Sequence, residues 1–341
     1  MTGNATHRFA NTAVLSVCAV DAPIVVTSAE MDDRLAATFA RVRLRPGMMQ
    51  RLAGITERRW WDDSTTFADG AATAGAKALA EAGVDPGRIG LMVNTSVSRA
   101  HLEPSTAVGV HHALGLPSSC QAFDVTNACL GFVNGMQLAA AMIESGQVEY
   151  ALVVDGEDAR GIHEATIDRL NAGQSDSRHV FEQFASLTLG SGAAAMVLGR
   201  ADAHPEGHRL LGGVTRAASE HHGLCVGDMD DMRTDSTGLM NAGIALSEAL
   251  WAESAQDWDW AGGMDRYVVH QVSVVHTKAV CAALGIDPER VPLTFPTRGN
   301  MGPAAIPFTL AGEVGSLTQG DRVLLMGIGS GLNASCLEIV W

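Results

Sequence analysis

Cys129 follows an apolar stretch, Gln121-Ala122-Phe123-Asp124-Val125, and precedes a run of small and apolar residues over 130–141. The pattern predicts a strand, a three-residue turn and a helix that is apolar nearly all round and therefore interior. A thiol on the first turn of such a helix faces unpaired backbone N–H groups and the positive end of the helix dipole. Both favour thiolate, the form that attacks carbonyl carbon. A small buried hydrophobe is the other reading of a cysteine there. His270 closes the apolar stretch 267–269, and Asn300 lies in the turn Arg298-Gly299-Asn300-Met301-Gly302-Pro303. Taken singly, the histidine is a hydrogen-bonded core residue and the asparagine a helix cap. Taken together, the three residues occupy strand C-terminal ends or the turns after them. In parallel α/β sheets, sites gather at that edge.

The elements that must position them occur twice along the chain. Strands are predicted at 91–94, 121–125 and 150–156, and again at 267–270, 291–295 and 322–327. Asn94 and His270 are 176 residues apart, and Asp155 and Gly327 are 172 apart. A near-constant offset over ordered elements points to a duplicated α/β unit, with halves at 1–200 and 201–341. Alanine-rich helical stretches between the strands, such as 70–82 ending at Gly83, imply a largely parallel sheet covered on both faces. Residues 157–190 are more polar and read as an irregular excursion.

The net charge of −15 gives no electrostatic support to nucleic-acid binding. No apolar run approaches the length of a membrane span. Six scattered cysteines without a C-x-x-C pair fit a reducing cytoplasm, and the first eight residues lack the order of a signal peptide. Arg41, Arg43, Arg45, Arg51, Arg58 and Arg59 crowd one short stretch of this acidic chain. They read as a solvated helix face or as a docking patch for a phosphorylated substrate. The adjacent Trp60 and Trp61 read as core, or as platforms for a nucleotide base. His111-His112 and His221-His222 with Cys225 lack a fixed ligand pattern, so no metal is expected. Gly327-Ile328-Gly329-Ser330-Gly331 precedes an apolar closing strand and no helix, which argues against a dinucleotide loop.

Phe123-Asp124-Val125-Thr126-Asn127-Ala128-Cys129-Leu130-Gly131-Phe132, His270-Gln271, Gly299-Asn300, Gly54-Ile55-Thr56-Glu57-Arg58-Arg59 and the terminal glycine motif resemble the thiolase-superfamily condensing enzymes, in the ketosynthase III branch. The likeness runs in order over almost the whole chain. It implies an α/β thiolase fold of five layers, α-β-α-β-α, and a tight homodimer. It also implies a Cys129-His270-Asn300 site reached by a pantetheine tunnel, with the backbone N–H groups of Ser330 and Cys129 forming an oxyanion hole. Coenzyme A thioesters are then the substrates, no cofactor is needed, and Arg45, Arg51, Arg58 and Arg59 become candidates for holding CoA.

Glu103-Pro104-Ser105-Thr106, read with the Cys129 motif, resembles the OleA-type enzymes of bacterial olefin biosynthesis, which join two fatty acyl-CoA molecules head to head. Glu103 also reads as a first-turn glutamate favoured by a helix dipole. The chemistry separates the readings. A decarboxylating ketosynthase needs no base, whereas joining two unactivated thioesters requires removal of an α-proton. That proton is less acidic than a carboxylic acid by on the order of fifteen pKa units, so a carboxylate removes it only with desolvation and strong enolate donors. The likeness assigns Glu103 of one protomer as base at the other's site, and His270 and Asn300 as donors. The product would be a 2-alkyl-3-ketoacyl thioester or its β-keto acid, passed to later olefin- or ketone-forming enzymes. The nearest alternative is a 3-oxoacyl-(acyl carrier protein) synthase III joining acyl-CoA to malonyl carrier protein. A same-fold acyltransferase or hydrolase, and a silent scaffold, are the others.

Overall fold

The computed structural model describes residues 5–341; residues 1–4, the head of the stretch searched for a signal peptide, lie outside them. In chain order the central strands are β1 (Thr12–Asp21), β2 (Ile89–Asn94), β3 (Gln121–Asp124), β4 (Tyr150–Glu157), β5 (Gly192–Arg200), β6 (His208–Ala217), β7 (Arg266–Val269), β8 (Arg322–Gly329) and β9 (Asn333–Val340). They lie side by side as β7-β8-β9-β6-β1-β5-β4-β2-β3. The first half reads outward from β1 as antiparallel β5, antiparallel β4, then parallel β2 and β3. The second reads outward from β6 in the same way: antiparallel β9, antiparallel β8, parallel β7. The halves join where β1 meets β6, through Ala13↔Arg209 and Val14↔His208.

The fifth place in the second half has no strand. The run 291–295 is apolar enough to pair, but Pro292 brings no N–H. The Gln271 side chain takes up the rest, accepting from Thr294 N (2.8 Å) and Phe295 N (3.2 Å) and donating to Pro292 O (2.7 Å). Phe295–Arg298 then turns into a short helix.

Among the described residues the longer helices are α1 (Phe67–Ala82), α2 (Thr106–Ala113), α3 (Gly131–Glu144), α4 (Arg160–Asn171), α5 (Ser236–Ser254), α6 (Val274–Leu284) and α7 (Ala305–Glu313), and all but α4 pack on the central strands or on a helix that does. Side chains alternate across each strand, so both faces of the sheet are read directly from the sequence. Val93, Val153 and Leu198 share one core with Leu325 and Leu337 of the other half, around Phe132 and Met136 of α3 and Ile306 and Leu310 of α7. Met92, Leu152 and Val197 face the other way, against Ala71, Ala74 and Ala78 of α1 and Val110 of α2. Leu324, Met326 and Cys336 pack on Leu246 and Leu250 of α5 and on Cys281 and Leu284 of α6. The order of layers is therefore helix, sheet, helix, sheet, helix.

The stretch 157–190 is helical and not irregular. It folds as α4 and the short helices Ser177–Glu182 and Phe184–Leu187. Ile167, Leu170, Val180 and Leu187 pack there on Met31, Leu35, Phe39 and Trp60 from the N-terminal region. Trp60 and Trp61 are both buried, donating to His163 Nδ1 and the Glu157 carbonyl, so neither is a stacking platform.

Candidate active site

The Cys129 turn begins where β3 stops. Val125 N still bonds Asn94 O, but Ala128 adopts a left-handed φ of 45°, which few residues other than glycine do. Leu130 is the N-cap of α3, so Cys129 stands just outside the helix and not on its first turn. Gly329, at the end of β8, presses on this turn. A methyl group added there would lie 3.4 Å from Cys129 N and 2.9 Å from Asn127 O. A polar chain fixes the turn from the other side. Asn127 donates to Asn134 Oδ1, Asn134 to Gln137 Oε1, and Gln137 to Ser335 Oγ of β9. Sequence reasoning passed over Asn134 and Gln137, although two amides three residues apart in an apolar helix are the signal for such a chain.

Cys129 is partly exposed, yet burial pushes its thiol up to about 12, with Cys225, Glu157 and Asp155 adding to the effect. This reverses the expectation of a resting thiolate. The backbone amide that favours the thiolate is outweighed chiefly by burial, with Cys225 and the acids of β4 as smaller contributors.

His270 follows β7, and its N–H bonds Met326 O of β8 at 2.8 Å. The residue is 3% exposed and its Nδ1 is buried without a hydrogen-bond partner among the described residues. Burial, and then His276, hold the ring down at about 3, so the imidazole is neutral. Both His270 and His276 line a narrow pocket whose other walls include Leu250, Trp251, Val280, Leu284 and Ile328. An apolar pocket with a few polar groups suits an alkyl chain.

Asn300 is 8% exposed and is held by its backbone. Asn300 N donates to Thr188 O, Gly190 N donates to Asn300 O, and its Oδ1 accepts from Gly302 N at 3.0 Å. Gly299 has φ 71° and passes so close to residue 189 that a methyl would lie 2.8 Å from Leu189 O. Cys129 and His270 thus meet the end of β8, and the Asn300 loop meets the end of β4. Ser330 follows β8 in the turn beside Cys129.

Glu103 lies in an exposed loop before Ser105, the N-cap of α2, so it is not a first-turn residue. Among the described residues it makes no hydrogen bond or ion pair. Leu102 beside it is fully exposed, and Val97 and Val108 are exposed too. Of the four candidate CoA arginines, Arg45 and Arg51 are exposed together, with Arg51 donating to the Pro46 and Arg45 carbonyls. Arg59 is half-buried and paired with Glu57 at 3.2 Å. Arg58 is 0% exposed and donates to Ser28 Oγ and Leu187 O, so it braces the interior and leaves the docking patch. Among the described residues no group of three or more His, Cys, Asp or Glu side chains could hold a metal, and no helix is long and apolar enough to cross a membrane.

Residues 123–218 and 261–341 match the family models of 3-oxoacyl-[acyl-carrier-protein] synthase III and of its C-terminal part, and 61–164 match the thiolase N-terminal domain. The chain is 44% identical to an acyl-CoA:acyl-CoA alkyltransferase of Xanthomonas campestris, covering 98% of this chain and 99% of that one. It is 37% identical to an alkyltransferase of the same name from Shewanella oneidensis, over 94% and 96%. A β-ketoacyl-[acyl-carrier-protein] synthase III of Streptomyces coelicolor is 31% identical over 84% and 83%. A crystal structure of Xanthomonas campestris OleA with bound lauric acid and lauroyl-CoA superposes with a TM-score of 0.95, at 43% identity over 98% and 100%. OleA variants at a cysteine, a glutamate and a histidine have also been crystallised. That glutamate precedes that cysteine by the same number of residues as Glu103 precedes Cys129. With this fold, this identity and this coverage, the chain belongs to the acyl-CoA:acyl-CoA alkyltransferases, condensing enzymes of the thiolase superfamily.

Proposed function

We propose that the protein joins two fatty acyl-CoA molecules without decarboxylation, through an acyl-Cys129 intermediate. The observation that carries this reading is Glu103, a carboxylate with no structural duty, displayed on an exposed arm beside a fully exposed leucine. Such an arm fits a second copy of the chain, with Glu103 entering the partner's site.

Cys129 starts as a thiol, and the neutral His270 ring takes its proton as sulfur attacks the first thioester carbonyl. The N–H groups of Cys129 and Ser330 hold the developing oxyanion. The bond to CoA sulfur breaks, and CoA leaves with the proton from His270. A second acyl-CoA then binds, and the partner's Glu103 removes its α-proton. Asn300 and His270 hydrogen-bond the enolate oxygen. The α-carbon attacks the acyl-Cys129 carbonyl, the new carbon–carbon bond forms, the bond to Cys129 breaks, and the proton held by the partner's Glu103 restores the Cys129 thiol. The 2-alkyl-3-ketoacyl-CoA is released and hydrolysed to the β-keto acid, for later enzymes of olefin or ketone formation. Arg45 and Arg51 offer guanidinium groups to the CoA phosphates. No redox or metal group takes part, and six free thiols fit a cytoplasmic setting.

Incubation with one long-chain acyl-CoA and no malonyl donor tests the reading. Free CoA and a β-keto acid, seen as its ketone after decarboxylation, are expected. Carbon dioxide release that requires malonyl carrier protein would replace it with the synthase III reaction.

A further inference from the structure

Two carboxylic acids beside the nucleophile have no part in this cycle. Asp155 and Glu157 are two residues apart on β4, so they share the inward face with Ala151 and Val153. The matching positions of β8 are Gly327 and Gly329, and Gly329 supports the Cys129 turn. Glu157 lies at the equivalent place under the Asn300 loop, where a methyl on Gly302 would be 3.7 Å from its carboxyl carbon.

On its other side, Glu157 holds the root of the Glu103 arm. Its carboxylate accepts from Val97 N (2.6 Å), Ser98 N (3.1 Å) and Ser98 Oγ (2.6 Å). Ser98 Oγ in turn accepts from Asp158 N at 2.9 Å. Arg99 locks the next step by donating to Ser98 O and Thr126 Oγ1. Asp155 accepts from Thr95 Oγ1 on one oxygen. Its Oδ1 is buried with no hydrogen-bond partner among the described residues, and burial, with the Glu157 charge after it, raises this carboxyl well above the usual carboxylate range, which favours its protonated form.

We propose that Glu157, backed by Asp155, is a positioning residue for condensation, bracing the Asn300 loop against the root of the arm that carries Glu103. The proposal rests on the condensation reading above. Glu157 touches no reacting atom; it sets two groups that must act on the same enolate from two protomers. Three charge-assisted hydrogen bonds to an arm root are strong enough to fix it, and small misplacements of an acting group have large effects on rate.

The test compares the wild type with Glu157→Gln, whose NH2 group must face either the Val97 donor or the Ser98 donors and so breaks one side of the brace, and with Ser98→Ala, which leaves β4 intact. Acylation of Cys129 by acyl-CoA, followed by intact mass, is expected to stay within about threefold of wild type. Condensation is expected to fall by about tenfold or more in Glu157→Gln, and less in Ser98→Ala, with acyl-enzyme diverted to hydrolysis. Trypsin cleavage after Arg99 is expected to accelerate in both variants. Equal loss of both steps, or unchanged condensation with unchanged cleavage, would overturn the proposal. Cleavage does not depend on the reaction, so a wild type that fails to condense would sink the functional reading while the brace itself is still judged by the arm.

Discussion

Asp124, and not Glu103, is the carboxylate at the N-terminus of α2. Its oxygens accept from Thr106 N (3.0 Å) and Ala107 N (2.9 Å), and Asn94 donates to it from β2. The helix is therefore capped without Glu103. Glu103→Ala is expected to change stability by less than about 0.5 kcal/mol and to leave Cys129 acylation intact while abolishing ketone formation. Asp124→Ala, by contrast, is expected to lower stability by about 1 to 2 kcal/mol. Thermal melts and acyl-enzyme mass spectra distinguish the two, and a Glu103→Ala enzyme that still condenses removes this residue from the mechanism.

The thiol of Cys129 carries a second prediction. Burial first, and the nearby Cys225, Glu157 and Asp155 after it, hold it at about 12. A raised thiol value means that the thiolate fraction grows about tenfold per pH unit above neutrality, with no plateau below about pH 11. Alkylation of the resting enzyme by iodoacetamide, read on the Cys129 peptide, should climb steadily over roughly pH 7 to 9.5. A rate that levels near pH 7 would instead identify a stabilised thiolate and relieve His270 of its role as acceptor.

What could be read from the chain follows what is local. Strands β4 and β8 are largely buried on both faces, so they contain apolar runs over 150–154 and 323–326, and their offset exposes the duplication. The Cys129 turn is legible because residue types on both sides of it differ so sharply. The run 291–295 is misread because the group competing for its backbone, Gln271, lies twenty residues earlier. The depth of Arg58 is invisible locally, since alternate residues of Glu57–Trp60 face inward and only the packed α-helical excursion decides which. The thiol's charge state is misjudged for the same reason: helix amides are next to Cys129 in sequence, while its burial, and the approach of Cys225, Glu157 and Asp155, come only with the fold.

Gly329 supplies a third prediction. An added methyl would meet Asn127 O at 2.9 Å, Leu130 N at 3.2 Å and Cys129 N at 3.4 Å. All three are backbone atoms of the nucleophile turn, so the strain cannot be relieved by a rotamer change. Gly329→Ala is expected to lower stability by about 1 to 3 kcal/mol and to slow acylation at least about tenfold by displacing the Cys129 N–H from the oxyanion position. CoA release in a single turnover measures it, and normal acylation would show that the turn is held elsewhere.

The buried histidines make stability depend on acid. His163 is fully buried and accepts a hydrogen bond from Trp60 Nε1 at 2.9 Å, and burial holds it at about 3. His270 is held at about 3 as well. Because these native values lie below the unfolded value of 6.5, the unfolded chain binds protons first as pH falls. Their contribution is complete above pH 6.5 and is lost progressively down to about pH 3. Each removes roughly 2 kcal/mol at pH 5. Glu157, raised to about 7 by burial, works in the opposite sense between pH 4.5 and 7, so the wild-type slope is a sum. Comparing wild type with His163→Gln isolates one part of it. The variant's melting temperature should fall less between pH 7.5 and pH 5 than that of the wild type, and parallel declines would show that burial does not hold the native His163 below its unfolded value.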